Sequence, residues 1–258
     1  MSGMRRPRVP AGGGGEFREI AVGSAPRIGR EGVRAGLSLA AAGDMDLAKR
    51  SAAPRRAKLL SLLGVAGERA YAVRQVHSRT VVLVDDRGPG AFLGIEADGF
   101  VTGRPDALLT VTVADCLPIY FLDPVTGAFG LVHSGWRGTG IAVEAVRMMA
   151  ERFGARPADL QVTIGPGIGP CCYHVSRERC DAFAADFGEE SVLRAGGEDF
   201  RLDLRSANLG LLRGAGVEDV AVVSDCTCCT PGLGSFRREG PGRFTRMLAF
   251  IGRRAGAR

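Results

Sequence analysis

The sequence predicts an α+β fold, with mixed β-sheets packed with helices in a single domain. Two observations carry that prediction. Short β-like runs cluster into hairpins more than they alternate with helices, which disfavours a doubly wound parallel sheet. The composition is that of a globular chain with a substantial core: 258 residues, 45% hydrophobic and 24% charged.

The elements follow in order. Residues 1–15 predict a flexible, basic, Gly-rich tail, in which Arg5, Arg6 and Arg8 precede Gly12 to Gly15. A single catalytic domain is expected over 16–252, and a basic tail over 253–258. The segment 17–67 is rich in Ala and Arg and weakly periodic; its clearest element is a helix from Arg55 to Leu63, ended by Gly64. β-like runs follow at Ala70–Val76, Thr80–Val84, Ala107–Val113, Ile119–Leu122, Ala128–Val132 and Leu160–Ile164. Asp123-Pro124-Val125-Thr126-Gly127 reads as the turn of a hairpin. Ile141–Phe153 predicts a largely buried helix whose polar stripe is Glu144, Arg147 and Glu151. Ser176 is placed to cap a helix through Phe187, ended by Gly188, and Asp203 one to Arg213, with Gly214 behind it. Val220–Val223 and Met247–Ile251 predict late strands. No internal repeat or interior linker interrupts this order.

Charge and hydropathy exclude two classes of partner. The net charge is +6, and Arg5, Arg6, Arg8, Arg253, Arg254 and Arg258 at the ends account for it, leaving 28 basic against 28 acidic residues. A neutral body has no basic stripe for nucleic acid. The longest apolar stretch, Ala107 to Leu122, is too short for a bilayer and is broken by Thr110, Thr112 and Asp115. No apolar signal segment follows the N-terminal arginines, so the expected location is cytoplasmic, with the seven cysteines reduced.

Chemistry concentrates at strand ends. His77 follows one β-like run, Cys116 sits in Ala114-Asp115-Cys116-Leu117-Pro118, and His133 ends another run, the three standing 39 and 17 residues apart. Two imidazoles and a thiolate suit Zn²⁺ with a fourth position open, and copper accepts the same donors. Spacing does not separate this metal site from a Cys116–His133 cysteine hydrolase or from unconnected core residues. Arg137, beside His133, is a candidate phosphate ligand because a guanidinium fork matches a phosphate edge, with Arg74 a second candidate. Trp136 is a candidate base-stacking residue, and Asp115 a candidate acceptor for a ligand imidazole. Gly165 to Pro170 reads as a rigid turn in a pocket wall, since its prolines remove the amide donors of a phosphate cradle. Cys171-Cys172 and Cys226-x-Cys228-Cys229 are read as lacking the two-residue gap of zinc knuckles, so one metal site is expected.

Several blocks occur together in one order: Gln75-Val76-His77, Ala97 to Thr102, Ala114 to Pro118, His133-Ser134-Gly135-Trp136-Arg137-Gly138, Ile164 to Tyr173, Cys226-Thr227 and Ser235 to Gly240. Across about 70–251 the sequence resembles the YfiH-type laccase-domain family, also called multicopper polyphenol oxidoreductases. The resemblance implies an α+β fold and a purine nucleoside phosphorylase acting on adenosine, inosine or methylthioadenosine with phosphate, together with adenosine deamination. It also implies zinc on His77, Cys116 and His133; Cys116, His133 and Asp115 are taken as the catalytic group. A zinc ion there would supply Lewis acidity and a water of pKa ~7. The sequence departs from the family at His174, where glutamate is usual, at Val113, and at Gly99-Phe100.

Three other functions compete. A multicopper laccase needs many imidazoles, and this chain has three histidines, which leaves phenol oxidation at a single copper. A cytosolic muropeptide-editing hydrolase would need no phosphate. A zinc-stabilised interaction domain would lose stability, but no turnover, with its metal.

Overall fold

Strands covered on both faces organise this protein, and their near-continuous apolar sequences follow from that. The computed structural model describes residues 15–23 and 32–253. The tails expected at 1–15 and 253–258 therefore lie, except for Gly15 and Arg253, outside the described residues.

Strands β1 (Phe17–Glu19) and β2 (Val33–Ser38) pair antiparallel inside the weakly periodic segment. Helix α1 (Ala53–Leu62) carries Pro54 in its first turn, and Gly64 just beyond it adopts φ +69°. Of the run expected at 70–76, only β3 (Ala70–Tyr71) enters a ladder; Arg74 makes a single bridge to Glu96 before the chain turns at His77. Strands β4 (Val81–Leu83), β5 (Gly99–Thr102), β6 (Leu108–Val113), β7 (Leu117–Leu122) and β8 (Phe129–Ser134) follow. Asp123 makes the β7–β8 turn by accepting Val125 N at 2.9 Å and Thr126 Oγ1 at 2.5 Å.

Helix α2 (Ile141–Phe153) matches its expected bounds, and Arg147 pairs with Glu144 and Glu151 along its exposed stripe. Strands β9 (Gln161–Ile164) and β10 (His174–Val175) lead to α3 (Arg177–Phe187), capped by Ser176. Strands β11 (Val192–Arg194) and β12 (Phe200–Leu202) precede α4 (Leu204–Gly214), where Asp203 accepts Arg205 N and Ser206 N. This helix includes Gly214, and the left-handed turn comes later, at Gly216 (φ +84°). Strand β13 (Asp219–Val222), the short α5 (Phe236–Glu239) and β14 (Met247–Arg253) complete the chain.

Three mixed or antiparallel sheets result, ordered β1-β2-β14-β6-β3, β10-β12-β11 and β13-β9-β7-β8-β5-β4. Period-two alternation divides the side chains between layers. Tyr120, Phe129 and Leu131 meet Leu109, Val111 and Ile251 between the two large sheets. Leu117, Ile119, Phe121 and Val132 point the other way, onto Ala145 and Met149 of α2 and Leu212 of α4. On the outer face of the first sheet, Leu248 and Phe250 pack with Phe17, Met45 and Leu59. The α+β prediction is met: mixed sheets with helices on their outer faces.

Candidate functional site

Four strand ends meet at one edge of the six-stranded sheet. In the β7–β8 hairpin Pro118 lies opposite His133, so Cys116, just before β7, faces the chain leaving β8. Strand β5 borders β8 with Gly99 opposite Val132, and His133 N donates to Asp98 O at 2.7 Å. Strand β4 runs parallel to β5, so the loop before it delivers His77 to the same edge. The donor atoms of His77, Cys116 and His133 all lie within 4.8 Å of one another. Two borderline nitrogens and a thiolate at that separation fit one zinc ion with its fourth position open.

Asp98 organises this cluster. Its carboxylate is fully buried and accepts His133 Nδ1 (2.8 Å), His77 N (3.0 Å), Val76 N (3.2 Å), Ser78 N (2.6 Å) and Ser78 Oγ (2.8 Å). Burial pushes its pKa up, but the His133 bond and the Ser78 donors outweigh that and hold it below the usual 3.8. An ionised Asp98 makes Nδ1 of His133 the donor, leaving Nε2 for the site. In the metal-free chain burial raises the Cys116 thiol, and the His133 charge with bonds from both histidines lowers it further, to about 6. Burial conversely depresses His133, while the Cys116 thiolate and Asp98 raise it to about 9. The pair is therefore a thiolate–imidazolium, the protonation that precedes exchange of a proton for a metal.

Backbone geometry is unusual at the same place. His77 (φ +60°) and Asp115 (φ +86°) are the only non-glycine residues with positive φ among the described residues. Such conformations cost about 1–3 kcal/mol and persist where surrounding contacts enforce them. A Cβ on Gly135 would stand 2.7 Å from Cys116 Sγ and 3.3 Å from the His77 ring, so only glycine lets the chain pass the donors.

The expectation that Asp115 serves a ligand imidazole is corrected, because Asp98 holds that position. The Asp115 carboxylate instead accepts Thr227 Oγ1 at 2.6 Å and Arg237 N at 2.7 Å, and its carbonyl accepts Ile168 N. Asp115 thereby ties two distant loops beneath Cys116. Gly165 to Gly169 are buried against the same strand end, with Gly165 N on Pro118 O, and make a supporting wall. Arg137 is exposed, 5.1 Å over the Trp136 ring, and has no hydrogen-bonded or ionic partner among the described residues. Trp136 also carries Arg179, at 4.6 Å, and its inner side packs on the core. Arg74 is paired with Glu96 at 2.8 Å. His174 stays outside the donor cluster, exposed and bonded through Nδ1 to Asp199.

Residues beyond those expected also face this edge. Tyr173 is pushed up to about 12, chiefly by burial and then by the Cys116 charge, with Arg179 and Arg237 acting in the opposite direction. Arg237 lies 5.5 Å over its ring. Asp98, Tyr173 and Arg237 all fall inside the sequence blocks that carry the family resemblance, which was their available signal. A hollow of about 560 Å³ beside α1, lined by Leu47, Leu60, Ala72 and Leu93 among others, contains none of the clustered donors.

A sequence model described as multi-copper polyphenol oxidoreductase laccase matches residues 34–254. The chain belongs to this family. It is 40% identical over 212 residues to "Purine nucleoside phosphorylase YlmD" of Geobacillus stearothermophilus, covering 77% of each chain. It is 38% identical over 206 residues to "Purine nucleoside phosphorylase" of Deinococcus radiodurans, covering 79% of this chain and 78% of that one. The crystal structure of YlmD from Geobacillus stearothermophilus superposes with a TM-score of 0.81 at 35% identity, over 92% of this chain and 98% of that one. The crystal structure of the Bacillus licheniformis protein YfiH gives 0.79 at 31%, over 87% and 97%. Among the described residues no helix is long and apolar enough to cross a membrane.

Proposed function

We propose that this protein is a zinc-dependent purine nucleoside phosphorylase, cleaving adenosine, inosine or methylthioadenosine with phosphate, and that it also deaminates adenosine. The observation that carries the reading is one edge where His77, Cys116 and His133 converge, with His133 held by Asp98, rimmed by aromatic rings and guanidinium groups. The names of the relatives support it. Bound zinc would supply Lewis acidity toward the purine.

The chain's own residues supply the rest. Asp98 keeps His133 in one tautomer and orientation. Arg137, unpaired among the described residues and beside the donors, anchors phosphate, and Arg179 stands across the same indole. Arg74, already held by Glu96, is the weaker anchor. Trp136 and Tyr173 stack on the purine where the base displaces a guanidinium from their rings. In phosphorolysis a phosphate oxygen bonds to C1′ as the C1′–N bond breaks, its electron pair going to the base, which takes a proton.

One other reading has a specific observation in its favour. Cys116, His133 and Asp98 have the order and hydrogen bonding of a thiolate nucleophile, its base and the orienting carboxylate. That would make a cysteine hydrolase needing neither phosphate nor metal, acting on a substrate such as a muropeptide.

The test is to incubate zinc-loaded protein with adenosine, with and without phosphate, beside Cys116→Ala, resolving adenine, inosine and hypoxanthine by chromatography. Phosphate-dependent adenine release that vanishes in the variant is expected, with inosine formed independently of phosphate. No product in either arm, with zinc bound, overturns the nucleoside reading in favour of the hydrolase.

A further inference from the structure

A second thiol cluster lies outside the edge just described. The loop after β9 carries Cys171 and Cys172, and the loop after β13 carries Cys226, Cys228 and Cys229. Cys226 and Cys229 enclose two residues, Thr227 and Cys228, so the expectation that no two-residue gap exists fails. The gap was hidden by the intervening Cys228. The structure brings Cys171, Cys172, Cys226 and Cys229 together with all four Sγ atoms within 4.8 Å of one another. Cys229 Sγ is 3.6 Å from Cys171 Sγ and 3.3 Å from Cys172 Sγ.

These distances have a simple interpretation. Four sulfurs at ~2.3 Å from one zinc ion form a tetrahedron with edges of about 3.8 Å. The cluster is that size, too small for a multinuclear iron–sulfur core and too open for a disulfide, whose sulfurs sit at about 2.05 Å. Backbone and guanidinium donors stand close to the cluster. Gly169 N donates to Cys226 Sγ at 3.2 Å. Arg205 reaches both loops, donating to Gly167 O and Asp225 O at 2.6 Å each, and its charge acts on Cys171 and Cys226. Arg201 acts likewise on Cys171 and Cys172. A zinc tetrathiolate carries a net charge of −2, which Arg205 partly offsets, while Arg201 is already paired with Asp199. Burial differs from that of packing cysteines, since Cys171 and Cys229 are exposed and only Cys226 is buried.

We propose that Cys171, Cys172, Cys226 and Cys229 form a structural zinc site, separate from the His77–Cys116–His133 donors. Its position indicates its task. Ile168, on the loop that leads to Cys171, donates its N to Asp115 O at 2.8 Å, while Thr227 follows Cys226 and donates to the Asp115 carboxylate. An ion joining the two loops fixes both supports of the strand end that presents Cys116.

The test is metal stoichiometry of the intact protein, purified under reducing conditions with zinc present. Elemental analysis and native mass spectrometry are expected to give two zinc ions per chain, falling to one in Cys172→Ser/Cys229→Ser and to one in His77→Ala/Cys116→Ala. The cobalt-substituted His77→Ala/Cys116→Ala protein is expected to absorb as a tetrahedral tetrathiolate. Because the thiol double variant could fail to fold, alkylation of the unmutated protein is a second reading. Cys171, Cys172, Cys226 and Cys229 should resist alkylation until a chelator is added, while Cys228 reacts throughout. A single zinc abolished by His77→Ala/Cys116→Ala, with the four cysteines alkylating freely or found as disulfides, overturns the proposal. That result leaves the nucleoside reading standing, so the two fail separately.

Discussion

Replacing Asp98 by Asn is the sharpest perturbation of the proposed centre. The carboxylate divides its work: Oδ1 accepts His133 Nδ1 and His77 N, and Oδ2 accepts Val76 N, Ser78 N and Ser78 Oγ. An asparagine oxygen retains the first pair, but its amide nitrogen then faces the two backbone donors Val76 N and Ser78 N. A buried donor without an acceptor costs about 1–3 kcal/mol, so these two part-buried donors set a ceiling of roughly 2–6 kcal/mol on the destabilisation by Asp98→Asn. His133 also loses a charged acceptor and becomes a weaker ligand, and losing such a partner lowers metal affinity about 10–100-fold. Urea unfolding of the metal-free protein measures the first effect, and zinc competition against a chromophoric chelator the second. Asp98→Asn protein that binds zinc within about twofold of the parent, with an unchanged unfolding midpoint, would refute the assignment. Asp115→Asn is the control, because its carboxylate touches no imidazole; it should lose stability through Thr227 and Arg237 with a smaller change in zinc affinity.

Three further outcomes follow from the geometry. Gly135→Ala puts a methyl 2.7 Å from Cys116 Sγ, so zinc content measured by elemental analysis should fall while far-ultraviolet circular dichroism stays that of the folded chain. Arg137→Ala should raise KM for phosphate by about 10–100-fold, the worth of one or two charged hydrogen bonds, without changing zinc content; an unchanged KM would assign Arg137 to packing on Trp136. Asp44 and Asp98 are held below 3.8 by their donors although burial opposes this, so their stabilisation is present above the unfolded value and lost as pH falls through the lowered one. Stability should therefore fall on acidification below about pH 4, and Asp44→Asn should flatten that limb in denaturation midpoints recorded against pH.

Local periodicity and capping were legible because they depend on neighbours in sequence. Helix α2 occupies Ile141–Phe153 as its apolar faces require, and Ser176 and Asp203 cap α3 and α4 where their side chains reach the first free amides. The β7–β8 hairpin follows from Asp123 to Gly127 for the same reason. Strands β1 and β2 were not legible. They are short, and what stabilises them is pairing with each other and with β14, more than 200 residues further on. The run at 70–76 misled in the opposite direction: its composition suits a strand, but Arg74 bridges Glu96 and the chain bends to deliver His77.

By itself the sequence determined the fold class, the major helices and hairpin, and singled out His77, Cys116 and His133 as candidate donors, through their chemistry and the blocks that carry the family resemblance. Only the tertiary structure decided which carboxylate orients His133, where Asp115 and His174 go, and that Cys171 and Cys172 meet Cys226 and Cys229. The reason is register. A donor's identity is written at its own position, whereas the partner that holds it is set by which strand ends and loops align. Asp98 reaches His133 across 35 residues and Thr227 reaches Asp115 across 112, distances over which no periodicity within a single element carries information.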